Sequence, residues 1–238
     1  MNTILHIDTS GPDALIGISQ DLKIIASKQN SQSNTHGEFV QAGVDELFRD
    51  SATQLKDIDA IGVTMGPGSY TGLRVGLASA KGLAFALNKP LIGLSTLTLL
   101  AKAAVGHLTA TENPLVNEKQ LQVFSMIDAR RMEIFGAIYN SSLDYLAAEK
   151  AMILDEALLL ALLSNGPLIC IGSGVAKTKI LTQHADFQNS SPLFLDYSYT
   201  IHDMAALAMI KFKAADFEDL AYSGPAYLKD YYQKPLIK

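Results

Sequence analysis

The order of the predicted secondary-structure elements is the same in both halves of this 238-residue chain. Each half has three consecutive strand patterns, then an amphipathic helix, a buried strand, a glycine-containing loop and a further helix. The predicted strands span 3–9, 14–20, 22–27, 58–64 and 90–94, then 121–129, 132–139, 143–153 and 167–171. Because the order repeats while the sequences differ, we expect two related lobes with a cleft between them.

This duplicated order resembles that of the actin, sugar-kinase and Hsp70 (ASKHA) superfamily, whose two lobes clamp ATP. The resemblance implies an α/β fold in which each lobe has a mixed sheet and flanking helices. The polar stretch 109–119 is expected to separate an N-terminal lobe, 1–108, from a C-terminal lobe, 109–238. Asp8 and Asp128 end the first strand of each half, and we expect them to face the cleft together with the glycine loops.

The composition indicates a compact globular protein and excludes several classes. Apolar residues make up 48% of the chain, charged residues make up 18%, and the formal net charge of −5 gives no overall basic surface for nucleic acid or an anionic membrane. The single Cys170 excludes a disulfide framework. The N-terminal segment lacks the features of a signal peptide, and no apolar stretch reaches the ~18 to 20 residues of a membrane span, so a cytoplasmic protein is expected.

The stretch Gly66-Pro67-Gly68 joins a buried strand to a long helix, which is a position where many proteins bind phosphate. A P-loop would need a second glycine followed by lysine and serine or threonine, but this chain has Thr71-Gly72-Leu73 at those places. The dinucleotide-binding pattern fails as well, because Thr71 replaces its third glycine. The stretch is therefore predicted to be a tight turn, with Ser69 or Thr71 as the helix cap.

The helix that follows has a face of small residues at helical spacing. They are Val75, Ser79, Gly82 and Ala86, with room added by Gly72 and Gly76. Glycine in a helix interior costs about 1 kcal/mol relative to alanine, so we expect another backbone to approach this face closely. The spacing alone leaves open whether that backbone belongs to this chain or to a partner.

Four segments along the chain resemble the TsaB (YeaZ) family. They read ILHIDTS, GPGSYTGLRVGLASAKGLA, SMIDARRMEIF and GPAYLKDYY. Members of this family are subunits of the bacterial machinery that makes threonylcarbamoyl-adenosine in tRNA, beside the anticodon. The resemblance implies a fold similar to that of the catalytic subunit TsaD, no catalysis by the chain alone, and no cofactor.

The resemblance also implies the partners of the chain. It predicts a heterodimer with TsaD that works with the ATPase TsaE, self-pairing of the isolated chain, contact with tRNA only through the complex, and no membrane contact. In the family, helices of the N-terminal lobe build the dimer. The interface residues that this implies are Phe39, Gly43, Gly72, Val75, Gly76, Ser79, Gly82 and Ala86.

Nucleotide binding is an alternative that the residues leave open. In ATP-clamping relatives the first-strand aspartate lies near Mg²⁺ and phosphates, so the chain is alternatively a stand-alone ASKHA-type ATPase or small-molecule kinase. The candidate nucleotide cleft consists of Asp8, Thr9, Ser10, Gly172, Ser173 and Gly174. The competing interpretation is that these polar groups form hydrogen bonds with backbone groups of the turns. Apart from Arg74, no lysine or arginine is expected near either glycine loop, which argues against phosphate binding.

Metal binding is not expected. The catalytic relative TsaD binds iron or zinc through two histidines four residues apart on a helix, but here Val40 stands four residues after His36, which follows the predicted cap Thr35. The other histidines have no paired spacing; they are His6, His107, His184 and His202. His6 is interpreted as a strand histidine whose hydrogen bonds are satisfied.

Positive charge is concentrated in the turn Arg130-Arg131 and in the C-terminal tail. Lysines and tyrosines alternate in the tail at Tyr227, Lys229, Tyr231, Tyr232, Lys234 and Lys238. Such a pattern can stack and hold RNA bases. The favoured interpretation is a tail whose tyrosines pack back on the second lobe and whose lysines are solvated.

Overall fold

The computed structural model describes residues 1–31, 36–183, 187 and 191–229. Within these residues the chain forms two five-stranded mixed sheets, one from each half of the sequence, and helices flank both. This arrangement confirms the predicted α/β fold. None of the helices in the described part of the chain is long and apolar enough to cross a membrane.

The first sheet is built from the N-terminal half. Its strands are β1 (Thr3–Asp8), β2 (Ala14–Gln20), β3 (Lys23–Asn30), β4 (Ala60–Gly66) and β5 (Leu91–Ser95). They lie in the order β3-β2-β1-β4-β5, with β1 antiparallel to β2 and parallel to β4. Because β1 and β4 are parallel neighbours, the carboxyl end of β1 at Asp8 lies at the same edge of the sheet as the carboxyl end of β4.

The second sheet is built from the C-terminal half in the same way. Its strands are β6 (Gln122–Asp128), β7 (Glu133–Tyr139), β8 (Tyr145–Ile153), β9 (Leu168–Ile171) and β10 (Leu193–Leu195). They lie in the order β10-β9-β6-β7-β8, with β6 antiparallel to β7 and parallel to β9. The sequence did not predict β10, because three residues are too few to show alternation.

The helices follow the predicted order, and α2 has clear start and stop signals. They are α1 (His36–Asp50), α2 (Tyr70–Leu87), α3 (Thr96–Ala110), α4 (Glu156–Ser164), α5 (Val175–Leu181) and α6 (Ile201–Lys213). Ser69 caps α2, since its Oγ accepts a hydrogen bond from the Gly72 N–H at 3.2 Å. α2 ends at Asn88, whose φ of 52° is left-handed. Thr35, the predicted cap of α1, lies outside the described residues.

The two halves exchange helices. α3 belongs to the first half by sequence, but its apolar face packs on the second sheet beside Val123. α6 belongs to the second half, but Ile201 and Met204 pack on the first sheet beside Ile4. Each sheet therefore depends on the other half for part of its core. α3 also runs through residues 108 and 109, and the division into lobes 1–108 and 109–238 stays a prediction.

The tail after α6 runs back along the first half. The Glu218 N–H donates to the Leu91 carbonyl at 2.8 Å, and the Ala226 N–H donates to the Met65 carbonyl at 2.7 Å. These backbone hydrogen bonds hold the tail beside β5 and the end of β4.

The favoured interpretation of the tail, packing on the second lobe with solvated lysines, can be compared with the structure at Tyr227 and Lys229 only; it does not hold for Tyr227, whereas the Lys229 side chain is 48% exposed but also paired. Tyr227 packs on Tyr70 of α2, in the first half, with ring centroids 5.4 Å apart. Lys229 forms an ion pair with Glu133 of β7. The sequence could not indicate these contacts, because the partners are far from the tail along the chain. The tail residues Tyr231, Tyr232, Lys234 and Lys238 lie outside the described residues.

His6 lies in β1 and is fully buried. Its Nε2 is 2.8 Å from the Ser19 hydroxyl, whereas Nδ1 has no hydrogen-bond partner within the described residues. The interpretation of a satisfied histidine therefore holds for one ring nitrogen only. Burial lowers the pKa of His6 to about 3, so the folded chain keeps this side chain neutral.

The buried imidazole is expected to make the fold sensitive to mild acid. The pKa of His6 is about 3 when folded against an ordinary value of 6.5, so between these values the unfolded state binds more protons. Above pH 6.5 His6 is neutral in both states and does not lower the free energy of unfolding. As the pH falls below 6.5, the free energy of unfolding decreases, because only the unfolded state takes up the proton. Between pH 7 and pH 5 we expect a loss of about 2 kcal/mol in the free energy of unfolding.

Urea denaturation at both pH values tests this expectation. His6→Gln should lose less stability than the wild type on acidification. His202→Gln, at an exposed position, is the control and should behave like the wild type. Equal losses in the wild type and His6→Gln would contradict the role of His6.

Candidate functional site

A cavity of about 560 Å³ lies between the two halves. It is lined by both first-strand turns and both glycine loops, including Ser10, Gly68, Asp128, Gly172 and Ser173. Of the six residues of the predicted nucleotide cleft, Ser10, Gly172 and Ser173 line this cavity, whereas Asp8, Thr9 and Gly174 do not. A cavity of this size is in the range that binds small molecules.

Asp8 lies at the end of β1, and only 4% of its surface is exposed. Its Oδ1 accepts hydrogen bonds from the Thr64 hydroxyl at 2.7 Å and from the Ser10 N–H at 2.8 Å. Its Oδ2 accepts a hydrogen bond from the Tyr199 hydroxyl at 2.7 Å. Both carboxylate oxygens are therefore engaged by the chain itself, as the turn interpretation expects.

Tyr199 is a residue of this site that the sequence reasoning missed. It comes from the segment before α6, so its hydroxyl joins the two halves, and it also lies 2.9 Å from the Ser10 Oγ. Burial and the neighbouring Asp8 carboxylate raise the pKa of Tyr199 well above its ordinary value, so the hydroxyl keeps its proton. No local motif marks this residue, because its partner Asp8 is 191 positions away along the chain.

α2 packs directly on the turn that follows β1, and two of its glycines permit this contact. The Thr9 hydroxyl donates to the Gly72 carbonyl at 2.7 Å. A Cβ at Gly72 would lie 2.0 Å from the Thr9 carbonyl oxygen, and a Cβ at Gly76 would lie 2.2 Å from the Thr9 Oγ1. A side chain at either position would therefore push α2 away from the sheet.

This packing corrects part of the predicted partner interface. Gly72 and Gly76 are buried against Thr9, and a Cβ at the buried Gly43 of α1 would lie 2.5 Å from Ile16 Cδ1. Internal contacts thus explain why these three positions lack a side chain. Since they are buried, they present no surface to a partner.

The other predicted interface residues lie on or beside a groove between α1 and α2, which we call the α1–α2 groove. It has a volume of about 350 Å³ and is lined by residues that include Val40, Val44, Ala78, Ser79, Gly82 and Leu83. A Cβ at Gly82 would meet no atom of the described chain within 4 Å. Ala86 is exposed, and Val75 and Phe39 are half-buried. Contact of these residues with a partner stays a prediction.

Phe85 adds apolar surface beside the α1–α2 groove and was not among the predicted residues. Its surface is 81% exposed. Phe85 lies three residues after Gly82, so the two positions are neighbours on the surface of α2. The same helical spacing that selected Gly82 could have found it.

The second glycine loop packs on β6. Gly172 has a φ of +102°, and a Cβ there would lie 2.2 Å from the Met126 carbonyl oxygen. A Cβ at Gly174 would lie 2.7 Å from Met126 Cβ. The Ser173 Oγ accepts a hydrogen bond from the Asp128 N–H at 2.9 Å. Contacts within the chain therefore account for all three loop residues, and their binding to a nucleotide stays a prediction.

Lys177 corrects the expectation that Arg74 is the only cation near the loops. Its ammonium group donates to Asp128 Oδ1 at 2.8 Å and to the Glu133 carbonyl at 2.8 Å. The hydrogen bond from Lys177 is the largest cause of a lowered pKa at Asp128. The signal was present in the sequence, because Lys177 follows Gly174 by three residues.

The two α1 positions that were compared with the metal ligands of the catalytic relative, His36 and Val40, make contacts within the chain. His36 is buried, and its Nε2 lies 3.2 Å from the Gly11 carbonyl oxygen. Val40, at the second ligand position, is part of the core of the first sheet. Within the ranges that the structure describes, no group of three or more His, Cys, Asp or Glu side chains could hold a metal ion.

The family described as TsaD: tRNA N6-adenosine threonylcarbamoyltransferase matches residues 23–236. The chain belongs to this family. TsaB of Escherichia coli is 33% identical to it over 137 residues, which cover 58% of this chain and 54% of that protein. An uncharacterized protein of Mycobacterium tuberculosis is 33% identical over 141 residues, which cover 58% of this chain and 60% of that protein. The chain thus spans a little over half the length of these curated relatives.

The resemblance to TsaB (YeaZ) is confirmed by these relatives. The structure of YeaZ from Pseudomonas aeruginosa matches with a TM-score of 0.76 and 22% identity, over 96% of this chain and 100% of that chain. At this identity the match establishes the fold, which is the ASKHA fold that the duplicated order predicted. In this TsaB-family chain the first-strand aspartate, Asp8, is hydrogen-bonded within the chain, and the groove between α1 and α2 is open.

The contribution of the Tyr199 hydroxyl can be measured with Tyr199→Phe. The substitution leaves Asp8 Oδ2 and the Ser10 hydroxyl without this partner in a buried site, so we expect a loss of about 1 to 3 kcal/mol in the free energy of unfolding. The control is Tyr222→Phe, at a position that is 90% exposed, where a change within about 0.5 kcal/mol is expected. Equal stabilities of both variants in urea denaturation would show that the hydroxyl does not join the halves.

Proposed function

We propose that this chain is a non-catalytic subunit that docks onto TsaD and supports threonylcarbamoyl transfer to the adenosine beside the tRNA anticodon. The proposal includes the ATPase TsaE as a further component and contact with tRNA through the complex only. It rests on the family match and on the name of the Escherichia coli relative, a tRNA threonylcarbamoyladenosine biosynthesis protein.

The α1–α2 groove is the observation that carries the docking proposal. At Gly82 the surface of α2 is open, since no described atom lies within 4 Å of the Cβ position. Helices approach each other closely where one side lacks bulk, so a helix of another subunit fits here. Phe85, 81% exposed, supplies apolar area that such a helix would cover.

The hydrogen bonds of Asp8 and the packing of Val40 support the proposal that the subunit has no catalysis of its own. Asp8 is hydrogen-bonded by Thr64, Ser10 and Tyr199, which leaves its carboxylate oriented by the chain rather than toward a metal-bound phosphate. Val40 packs in the core at the position where the catalytic relative has its second histidine.

Self-pairing follows from the same surface. A second copy presents the same open groove and the same exposed Phe85, so two copies can pair in an isologous way when TsaD is scarce. Excess TsaD would then displace the second copy, because both occupy one surface.

The alternative, a stand-alone ATPase or small-molecule kinase, is favoured by one observation. The cleft has a volume of about 560 Å³ and contains both glycine loops, as a nucleotide site would. Its distinguishing property would be ATP turnover by the isolated chain.

Gly82→Arg tests the docking proposal. An arginine side chain at this position would fill the α1–α2 groove, so we expect the affinity for TsaD to fall by about tenfold or more in calorimetry. The fold should persist, because arginine forms helix better than glycine and the position is open to solvent.

Gly106→Arg is the matched control. Gly106 lies in α3, is exposed, and likewise has no described atom within 4 Å of its Cβ position. It should bind TsaD like the wild type. Unchanged binding by Gly82→Arg, or equal losses in both variants, would contradict docking through the groove.

A further inference from the structure

Two residues in the wall of the cleft each have a buried polar atom without a hydrogen-bond partner in the described part of the chain. They are Thr96, at the start of α3, and His36, at the start of α1. Each is only 5% exposed, and both line the cavity of about 560 Å³. The unpaired atoms are the Thr96 Oγ1 and the His36 Nδ1. Because buried polar groups in folded proteins are nearly always paired, two such atoms beside one cavity indicate that a bound molecule completes them.

The surroundings of His36 decide what such a molecule has to present. Its Nε2 lies 3.2 Å from the Gly11 carbonyl oxygen, which can only accept a hydrogen bond, so the Nε2 carries a proton. In the neutral imidazole the Nδ1 is then an acceptor, and its partner has to be a donor such as a hydroxyl or an amino group. The Thr96 hydroxyl can pair with a donor or with an acceptor.

The second half of the chain adds a further hydroxyl and apolar walls. The Ser173 Oγ accepts a hydrogen bond from the Asp128 N–H at 2.9 Å, which leaves its own proton for another acceptor. Much of the remaining lining is apolar or aromatic, including Leu100, Ile127 and Phe135. Phe135 is half-buried, and its ring offers a surface for a flat apolar group.

The charges and the helix starts at the cleft are already paired within the chain. Asp128 is the one carboxylate of the described lining, and it forms an ion pair with Lys177 at 2.8 Å. The described lining contains no lysine or arginine. Ser69 accepts a hydrogen bond from the first turn of α2, and Ser95 accepts two from the first turn of α3. A phosphate group would lack a cationic partner here, so the lining favours an uncharged ligand.

We propose that the cleft binds an uncharged nucleoside, with a hydroxyl or amino group on His36, a second polar group on Thr96 and the base against Phe135. A nucleoside combines hydroxyl groups with a flat ring, which is the combination that the unpaired atoms and the apolar walls require. The proposal differs from the ATPase alternative, because it excludes the phosphates and requires no turnover. It does not rest on docking to TsaD, so the two proposals succeed or fail separately.

Calorimetry on the isolated chain tests the ligand class with adenosine, ATP and ribose. Adenosine should bind, and ATP should bind at least about tenfold more weakly, since its phosphates have no lysine or arginine to pair with in the described lining. Ribose should also bind more weakly than adenosine, because it lacks the flat ring.

Thr96→Val tests the unpaired hydroxyl, because valine keeps the shape of the side chain and removes the polar atom. Adenosine affinity should fall by about fivefold, the size expected for one uncharged hydrogen bond. The urea midpoint of the free chain should stay the same or rise, since the hydroxyl has no described partner to lose. A purely structural role would lower it. The matched control is Thr109→Val, an exposed threonine of the same helix, which should bind adenosine like the wild type.

Amide chemical shifts of the wild type locate the ligand independently of any variant. Added adenosine should shift the signals of Gly11, Thr96 and Ser173 and leave those of Gly82 and Phe85 in place. The proposal is overturned if adenosine does not bind at millimolar concentration, if ATP or ribose binds as tightly, if Thr96→Val binds adenosine like the wild type, or if the shifts are confined to the α1–α2 groove.

Discussion

The contact between α2 and the turn after β1 is the constraint on which the rest of the structure depends. The Thr9 side chain and carbonyl lie so close to Gly72 and Gly76 that neither position can carry a side chain. The same turn begins at Asp8, which accepts hydrogen bonds from β4 and, through Tyr199, from the second half. This small region therefore sets the position of α2, the floor of the cleft and the relation of the two halves.

α2 has two faces with opposite roles as a consequence. Its glycines toward the sheet are covered by the chain itself, whereas Gly82 and Phe85 are exposed beside the α1–α2 groove. Hydrogen bonds within the chain occupy the carboxylate that ATP-clamping relatives direct toward a metal and phosphates. A fold of the ASKHA type thus retains its cleft, while the outer side of α2 exposes Phe85 and the open position Gly82. This distribution supports a docking subunit better than an independent enzyme.

Local patterns predicted most of the strands and helices, because alternation and helical spacing are properties of neighbouring residues. The duplicated order also predicted the two sheets and the cleft that their loops share. Spacing could not separate Gly72 from Gly82, since both are glycines of one helix and only tertiary contacts distinguish them. Tyr199, the exchanged helices and the path of the tail were missed for the same reason. Their partners lie in distant parts of the sequence, where no local pattern records them.

Hydrogen–deuterium exchange of the chain with and without TsaD tests the central claim most directly. The claim is that the outer side of α1 and α2 receives the partner while the cleft turns remain occupied by the chain's own contacts. We predict that complex formation slows exchange in residues 40–44 and 78–86 and leaves residues 9–10 and 172–174 unchanged. Protection concentrated at the cleft turns, with α1 and α2 exchanging as in the free chain, would contradict the account.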